Sequence, residues 1–311
     1  MTDKKLFCFG YGYTGDYLGQ ALKKAGGWAI AGTTRDPEKR RFLKNLGVRG
    51  YMFDYTQPLE DPQLFLKGTT HLLISTPPAD NGDPTFLMHE DDILSIPTLE
   101  WVGYLSSTSV YGDRSGEWVD ENSEVRPSTK RGSRRARAEA QWLSLAGQGV
   151  PVHVFRLAGI YGPGRSALDS VRAGIARRID KPGHAFSRIH IDDIVQVLMA
   201  SMAKPNPGAV YNLADDLAAP SHAVIAEACD MLGLTPPPLI KYDDADMAPI
   251  ARSFYSDNKR IKNDRIKNEL GVVLKHPTFM EGLQDCLAKE QAHRSRMGAF
   301  AAAAIGGSRE G

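Results

Sequence analysis

Residues 5–15 read KLFCFGYGYTG. The apolar run Leu6 to Phe9 ends in Gly10, Gly12 and Gly15, and a helical pattern, TGDYLGQALKKAG, follows over residues 14–26. A short continuous apolar run bounded by glycine reads as a strand buried on both faces. The glycines then stand at a strand-to-helix turn with the spacing G-x-G-x-x-G. Gly10 suits the tight turn, Gly12 lets backbone approach a pyrophosphate, and Gly15 lets helix and strand pack closely. The helix N-terminus adds free N–H groups and partial positive charge. Alone the spacing is weak. Inside a strand–turn–helix unit it predicts a dinucleotide site formed by Gly10, Gly12, Tyr13, Thr14 and Gly15. The competing reading is a plain structural turn.

The alternation continues along the chain. WAIAGTTR (28–35), VRGYMFD (48–54), HLLIST (71–76), WVGYLSS (101–107) and VPVHVFRL (150–157) read as further strands. Between the second and third, DPEKRRFLKNLG reads as a helix, with Asp36 as N-cap and Pro37 in the first turn. AEAQWLSLAGQG (138–149) reads as a helix closed by Gly147 and Gly149. Strands alternating with helices predict an α/β fold with a Rossmann-type, doubly wound parallel sheet. The second half is less regular. RIHIDDIVQVLMASMA combines a short strand with a helix, GAVYNLA reads as a strand, and SHAVIAEACDMLGL as a helix capped by Ser221. The expected division is a nucleotide lobe over 1–160 and a smaller substrate lobe over 161–296 with segments returning to the sheet. A flexible tail is expected over 297–311.

The strand after the phosphate turn should carry the group that reads the ribose. An NAD site places Asp or Glu about 20 residues past the loop. Here Thr33, Thr34 and Arg35 stand there. A small hydroxyl with Arg binds a 2′-phosphate that an acid would repel. The expected cofactor is NADP, with NAD as the alternative if Arg35 is only a surface residue.

Composition narrows the partners. Lys+Arg number 38 and Asp+Glu 37, a formal charge of +1, so no global basic field marks a nucleic-acid binder. The three cysteines, Cys8, Cys229 and Cys286, form no Cys-x-x-Cys pair. The eight histidines show no His-x-x-x-His or His/Cys spacing, so no metal is expected. The N-terminus lacks a signal-peptide pattern, and no stretch approaches the ~18 apolar residues of a membrane helix. A cytoplasmic location is the expectation.

Several stretches in order resemble the extended short-chain dehydrogenase/reductase superfamily, the epimerase/dehydratase group. They are the glycine loop, FDYT, LSSTSVYGD, RLAGIYGPGR, FSRIHIDDIVQVLMASM, VYNLAD and RIKNELGVVLKHPTFMEGL, spanning about residues 5–285. The resemblance implies that Asp54 contacts adenine and that Thr76 joins the cofactor contacts. It implies that Ser107 is the family's catalytic Ser/Thr, and that Arg165 and Arg188 flank the substrate cleft. It also makes a homodimer an expectation.

One departure is large. Where the family carries Tyr-x-x-x-Lys, alignment outward from Glu139 places Arg131 and Arg135, within STKRGSRRARAE (128–139). Tyrosine relays a proton because a nearby Lys lowers its pKa from ~10. Arginine stays protonated and is a poor general base. The sequence therefore resembles an atypical subgroup without the pair. Arg135 is expected to reach the nicotinamide ribose as the Lys does, and Arg131 to meet substrate. Ser107, Thr108, Tyr111 and His190 are the candidate proton carriers, with Ser107 and Tyr111 preferred, though each also reads as a packing or strand-end residue.

Three functions compete on these grounds. The first is an oxidoreductase or epimerase with a changed acid/base group, acting on a small anionic or nucleotide-sugar-like substrate gripped by arginine. The second is a cofactor-binding sensor without turnover. The third, nucleic-acid binding through Arg131, Arg134, Arg135 and Arg137, lacks interleaved aromatics. Arg165 and Arg188 read equally as interlobe ion pairs.

Overall fold

The computed structural model describes residues 4–306. Seven strands form one sheet: β1 Lys4–Phe9, β2 Trp28–Thr34, β3 Arg49–Met52, β4 His71–Ile74, β5 Trp101–Ser107, β6 Val152–Leu157 and β7 Val210–Leu213. Their order is β7-β6-β5-β4-β1-β2-β3, and every neighbouring pair is parallel. Strand order reverses between β1 and β4, and such a switch point opens a crevice at the C-terminal strand ends.

Helices cover both faces, as an all-parallel sheet requires. Leu18 and Leu22 of α1 (Tyr13–Ala25) share one core with Ile194 and Leu198 of the helix Ile191–Ala203. Phe86 and Ile93 of Pro84–Leu94 share the other with Ala138 and Trp142 of Lys130–Ser144. In chain order these are α1, α2 (Pro37–Asn45), α3 (Pro84–Leu94), α4 (Lys130–Ser144) and α5 (Ile191–Ala203). Outside the sheet a separate core forms, in which Tyr161, Leu168, Val224 and Ala228 cluster with Phe279 and Leu283.

The structure corrects details of the sequence reading. The helix expected to start after the basic run begins at Lys130, so that run forms its first two turns. Thr129 Oγ1 caps it by accepting the Gly132 amide at 3.1 Å. Asp83 Oδ1 accepts the amides of Thr85 and Phe86 at 2.9 and 3.1 Å and starts α3, with Pro84 in its first turn. The helix Ser221–Met231 has Pro220 at its N-cap, and Ser221 is already helical. Residues 297–306 belong to the helix Phe279–Gly306, and 307–311 lie outside the described residues.

Candidate functional site

Two clefts meet the C-terminal ends of the central strands. The smaller, about 270 Å³, is built on the glycine loop. Gly10 has φ +83°, and a Cβ there would meet the Thr76 amide nitrogen at 2.9 Å, so the turn needs glycine on both counts. Its amide donates to Thr33 Oγ1 at 2.8 Å, and the Tyr11 amide to the Thr33 carbonyl at 2.7 Å. The end of β2 thus braces the loop. A Cβ on Gly15 would meet Cys8 Sγ at 3.0 Å, which is the close helix–strand contact expected of the third glycine. A Cβ on Gly12 meets nothing nearer than the Gly10 carbonyl oxygen at 3.8 Å. What Gly12 keeps clear is therefore open space in front of the α1 N-terminus.

Thr34, Arg35, Asp54 and Thr76 all line this cleft, and Lys39 of α2 joins them. Lys39 was not singled out from sequence, although its place two residues after Pro37 puts it beside Arg35 at the same mouth. Asp54 Oδ1 accepts from the amide and hydroxyl of Thr56 at 2.7 and 2.8 Å, and these bonds hold its carboxyl below the usual range. Thr76 Oγ1 lies 2.8 Å from Thr85 Oγ1. Thr14 is buried in the first turn of α1, and Tyr13 turns away to donate to the Pro163 carbonyl at 3.0 Å. Tyr13 and Thr14 can therefore serve the phosphates through backbone at the helix end.

The larger cleft, about 490 Å³, opens between the sheet and the smaller lobe. Ser107, Thr108, Arg131 and Arg188 line it, and Asp257 and Lys259 come to it from the smaller lobe. Ser107 Oγ accepts the Ser109 amide at 3.2 Å, which leaves its proton for a ligand oxygen. The Arg131 guanidinium sits 4.3 Å from the centre of the Phe254 ring. Arg188 Nη1 donates to the Phe186 and Ala219 carbonyls, both at 2.9 Å, and no ion pair holds it among the described residues. Burial lowers its pKa. Lys259 Nζ lies 3.3 Å from Asp257 Oδ2, and burial likewise lowers the lysine.

Four expected site residues lie elsewhere. Tyr111 is fully buried, donates to Asn212 Oδ1 at 2.7 Å and accepts from Arg156 at 2.8 Å. Burial pushes its phenol up to about 12, the wrong direction for a proton relay. Arg135 Nη1 donates to the Leu105 carbonyl at 2.7 Å and reaches Tyr104 Oη at 3.3 Å, so its guanidinium is committed to β5. Arg165 stands over the Tyr13 ring at 5.7 Å. His190 is fully buried, and its Nδ1 accepts the Asp192 amide at 3.2 Å as the cap of α5. Sequence missed Asp257 and Lys259 because nothing local links them to β5; only the path of the smaller lobe brings them back.

A doubly wound parallel sheet with a glycine loop at its switch point and a second cleft beside it defines a dinucleotide-dependent α/β protein. Residues 10–214 match the model of the NAD dependent epimerase/dehydratase family, and the chain belongs to that family. It is 26% identical over 282 residues to protein YeeZ of Escherichia coli (strain K12), covering 88% of this chain and 97% of that one. A conserved protein of unknown function from Silicibacter pomeroyi DSS has 48% identity and a TM-score of 0.85, covering 92% of this chain and 99% of the other. UDP-glucuronic acid 4-epimerase from Bacillus cereus, solved with UDP-glucuronic acid and NAD, shares the fold at 16% identity and a TM-score of 0.74, covering 90% and 97%. No helix among the described residues is long and apolar enough to cross a membrane.

Proposed function

We propose that this protein is an NADP-preferring oxidoreductase or epimerase acting on a small anionic or nucleotide-sugar-like substrate, with a non-standard acid/base group. One observation carries the substrate class. The larger cleft presents Arg131, Arg188 and Lys259 against a single acid, Asp257. Arg188 in particular is half-buried, donates to two backbone carbonyls, and has no carboxylate at ion-pair distance among the described residues, although Asp215 acts on its charge. Such a group is stabilised by a ligand anion that accepts from its free N–H groups.

The cofactor preference rests on Arg35 and Lys39 at the mouth of the smaller cleft and on Thr34 in place of an acid. A bound nicotinamide supplies hydride transfer. The chain must then move a proton to or from the substrate oxygen. Ser107 is suited to hold that oxygen by its free hydroxyl proton. Lys259 is suited to carry the proton, because its burial favours the neutral amine and Asp257 stabilises the charged form.

The absence of the Tyr-x-x-x-Lys pair favours a second reading, a cofactor-binding sensor without turnover. The experiment that separates them supplies NADP(H) with a panel of sugar nucleotides and small carboxylates, and follows both reduced-nicotinamide absorbance and product composition. Turnover of an anionic member, lost in Lys259→Met while dinucleotide affinity is kept, supports the enzyme. Tight NADPH binding with no product from any member supports the sensor. Failure to bind either dinucleotide removes both.

A further inference from the structure

The histidines and acids are scattered in sequence, but the fold gathers four of them. One donor atom each from His190, Asp192, His276 and Asp285 lies within 4.8 Å of the others. They come from the start of α5, from the loop before the last helix, and from the second turn of Phe279–Gly306. His276 Nε2 is buried and makes no hydrogen bond, and His276 is 8% exposed, while Asp285 Oδ2 is buried against Lys289. His276 Nε2 lies 3.7 Å from Asp192 Oδ2, and His190 Nε2 lies 3.5 Å from Asp285 Oδ2. Two ligand atoms on one tetrahedral ion with bonds of about 2.0–2.2 Å stand roughly as far apart as His276 Nε2 and Asp192 Oδ2.

We infer that Asp192, His276 and Asp285 form a site for a divalent transition ion that pins the C-terminal helix to the start of α5. His190 is not counted as a ligand. Its Nδ1 accepts the Asp192 amide, so the neutral ring carries its proton on Nε2 and faces Asp285 as a donor. In the metal-free protein the cation is supplied by Lys289. Its ammonium reaches Asp192 Oδ2 at 2.6 Å and Asp285 Oδ2 at 2.8 Å from a side chain that is 42% exposed. The lysine can swing into solvent when an ion arrives, exchanging one positive charge for two between the same carboxylates. Imidazole with carboxylates selects zinc-like ions over magnesium. Cys286 Sγ lies 3.7 Å from His190 Nε2 and outside the ligand set.

The test uses tag-free full-length protein stripped with a chelator and titrated with Zn²⁺ alone. One ion per chain is expected, with a rise in Tm because the ion binds only the folded state. Lys289→Met removes the competing cation and should tighten Zn²⁺ about tenfold. His276→Gln should lose the site while its circular dichroism stays that of the parent, and Cys286→Ser should keep it. The inference is overturned if Lys289→Met takes up no Zn²⁺, if His276→Gln binds as the parent does, or if Cys286→Ser abolishes binding. Competition by millimolar Mg²⁺ would overturn the assignment of ion class.

Discussion

Arg156 Nε lies 3.1 and 3.2 Å from the two carboxylate oxygens of Glu139, and both side chains are almost fully buried. The pair joins β6 to α4. Ser106 Oγ donates to Glu139 Oε2 at 2.7 Å, and Arg156 Nη1 continues through Tyr111 to Asn212 on β7. The network thus ties the ends of β5, β6 and β7 to the helix that lines the larger cleft. Removing one partner leaves a buried charge unpaired. Glu139→Ala is expected to lower unfolding stability by about 3–5 kcal/mol. Tyr111→Phe should cost about 1–3 kcal/mol, since it orphans Asn212, yet leave dinucleotide affinity unchanged. Urea denaturation with parallel cofactor titration checks both. A Glu139→Ala protein as stable as the parent would mean that the pair contributes nothing.

Gly12→Asp should abolish dinucleotide binding in a folded protein. The new Cβ meets only the Gly10 carbonyl oxygen, at 3.8 Å, so the fold accepts it. The carboxylate then projects into the phosphate space at the α1 N-terminus and repels the ligand. Gly10→Ala is the contrast: positive φ and the Thr76 backbone at 2.9 Å predict a loss of stability as well. Parent-like cofactor affinity in folded Gly12→Asp would remove the phosphate loop.

The sheet was legible because its central strands are short apolar runs buried on both faces, from Leu6–Phe9 to Trp101–Leu105, and each run ends in a recognisable turn. The phosphate loop was legible for the same reason: its three glycines are local. Helix α3 was not read, although Asp83-Pro84 carries the same start signal as Asp36-Pro37. The Pro77-Pro78 and Gly82 breakers beside it read as loop. Lys259, Asp257 and the His276–Asp285 cluster are products of tertiary return, with partners more than eighty residues away in the Asp192–His276 case. No spacing rule reaches that far. Tyr111 read as a proton carrier from its place after β5, and only the burial and the Arg156–Asn212 partners show how its hydroxyl is used.

Arg35→Ala should weaken NADP about ten- to hundredfold and leave NAD nearly unchanged, as expected for one charge-assisted contact of about 1.5–3 kcal/mol. Lys39 shares the cleft mouth, so Lys39→Ala should act in the same direction with a smaller effect. Equal weakening of both cofactors by Arg35→Ala would place the guanidinium on a part they share.

Asp215 gives the chain a pH dependence of definite sign. It is 3% exposed, and its Oδ2 has no hydrogen-bond partner. Burial raises its pKa to about 8 despite the opposing Arg188 charge. The folded protein then holds a proton that the unfolded chain releases near the ordinary carboxylate value. Stability from this group is full below about pH 4 and is lost as pH rises toward about 8, by at most ~1.4 kcal/mol per pH unit. Asp215→Asn removes the titration and should flatten the curve, with its greatest advantage over the parent near pH 8. Urea midpoints that fall equally in both proteins across this range would assign the slope to another group.

Arg131 and Arg135 stand one turn apart on α4, where the sequence resemblance puts the family's Tyr and Lys, but their guanidinium groups part. Arg131 lies on the Phe254 ring in the larger cleft, Arg135 lies on the Leu105 carbonyl, and Arg137 is exposed. The three alanine variants should therefore behave differently. Arg131→Ala should weaken anionic ligands of the larger cleft about tenfold or more, the loss of one contact to a charged group. Arg135→Ala should lower stability, because the Leu105 carbonyl loses its donor, and change dinucleotide affinity less than tenfold, or ~1.4 kcal/mol. Arg137→Ala should be silent in both measurements. Restoring the pair with Arg131→Tyr and Arg135→Lys should give a folded protein that keeps NADP affinity within about tenfold. No turnover is expected from it, since Lys259 and Asp257 line the same cleft. Ligand affinities equal to the parent's in all three alanine variants would leave the basic run as a solvated helix face and remove Arg131 from the site.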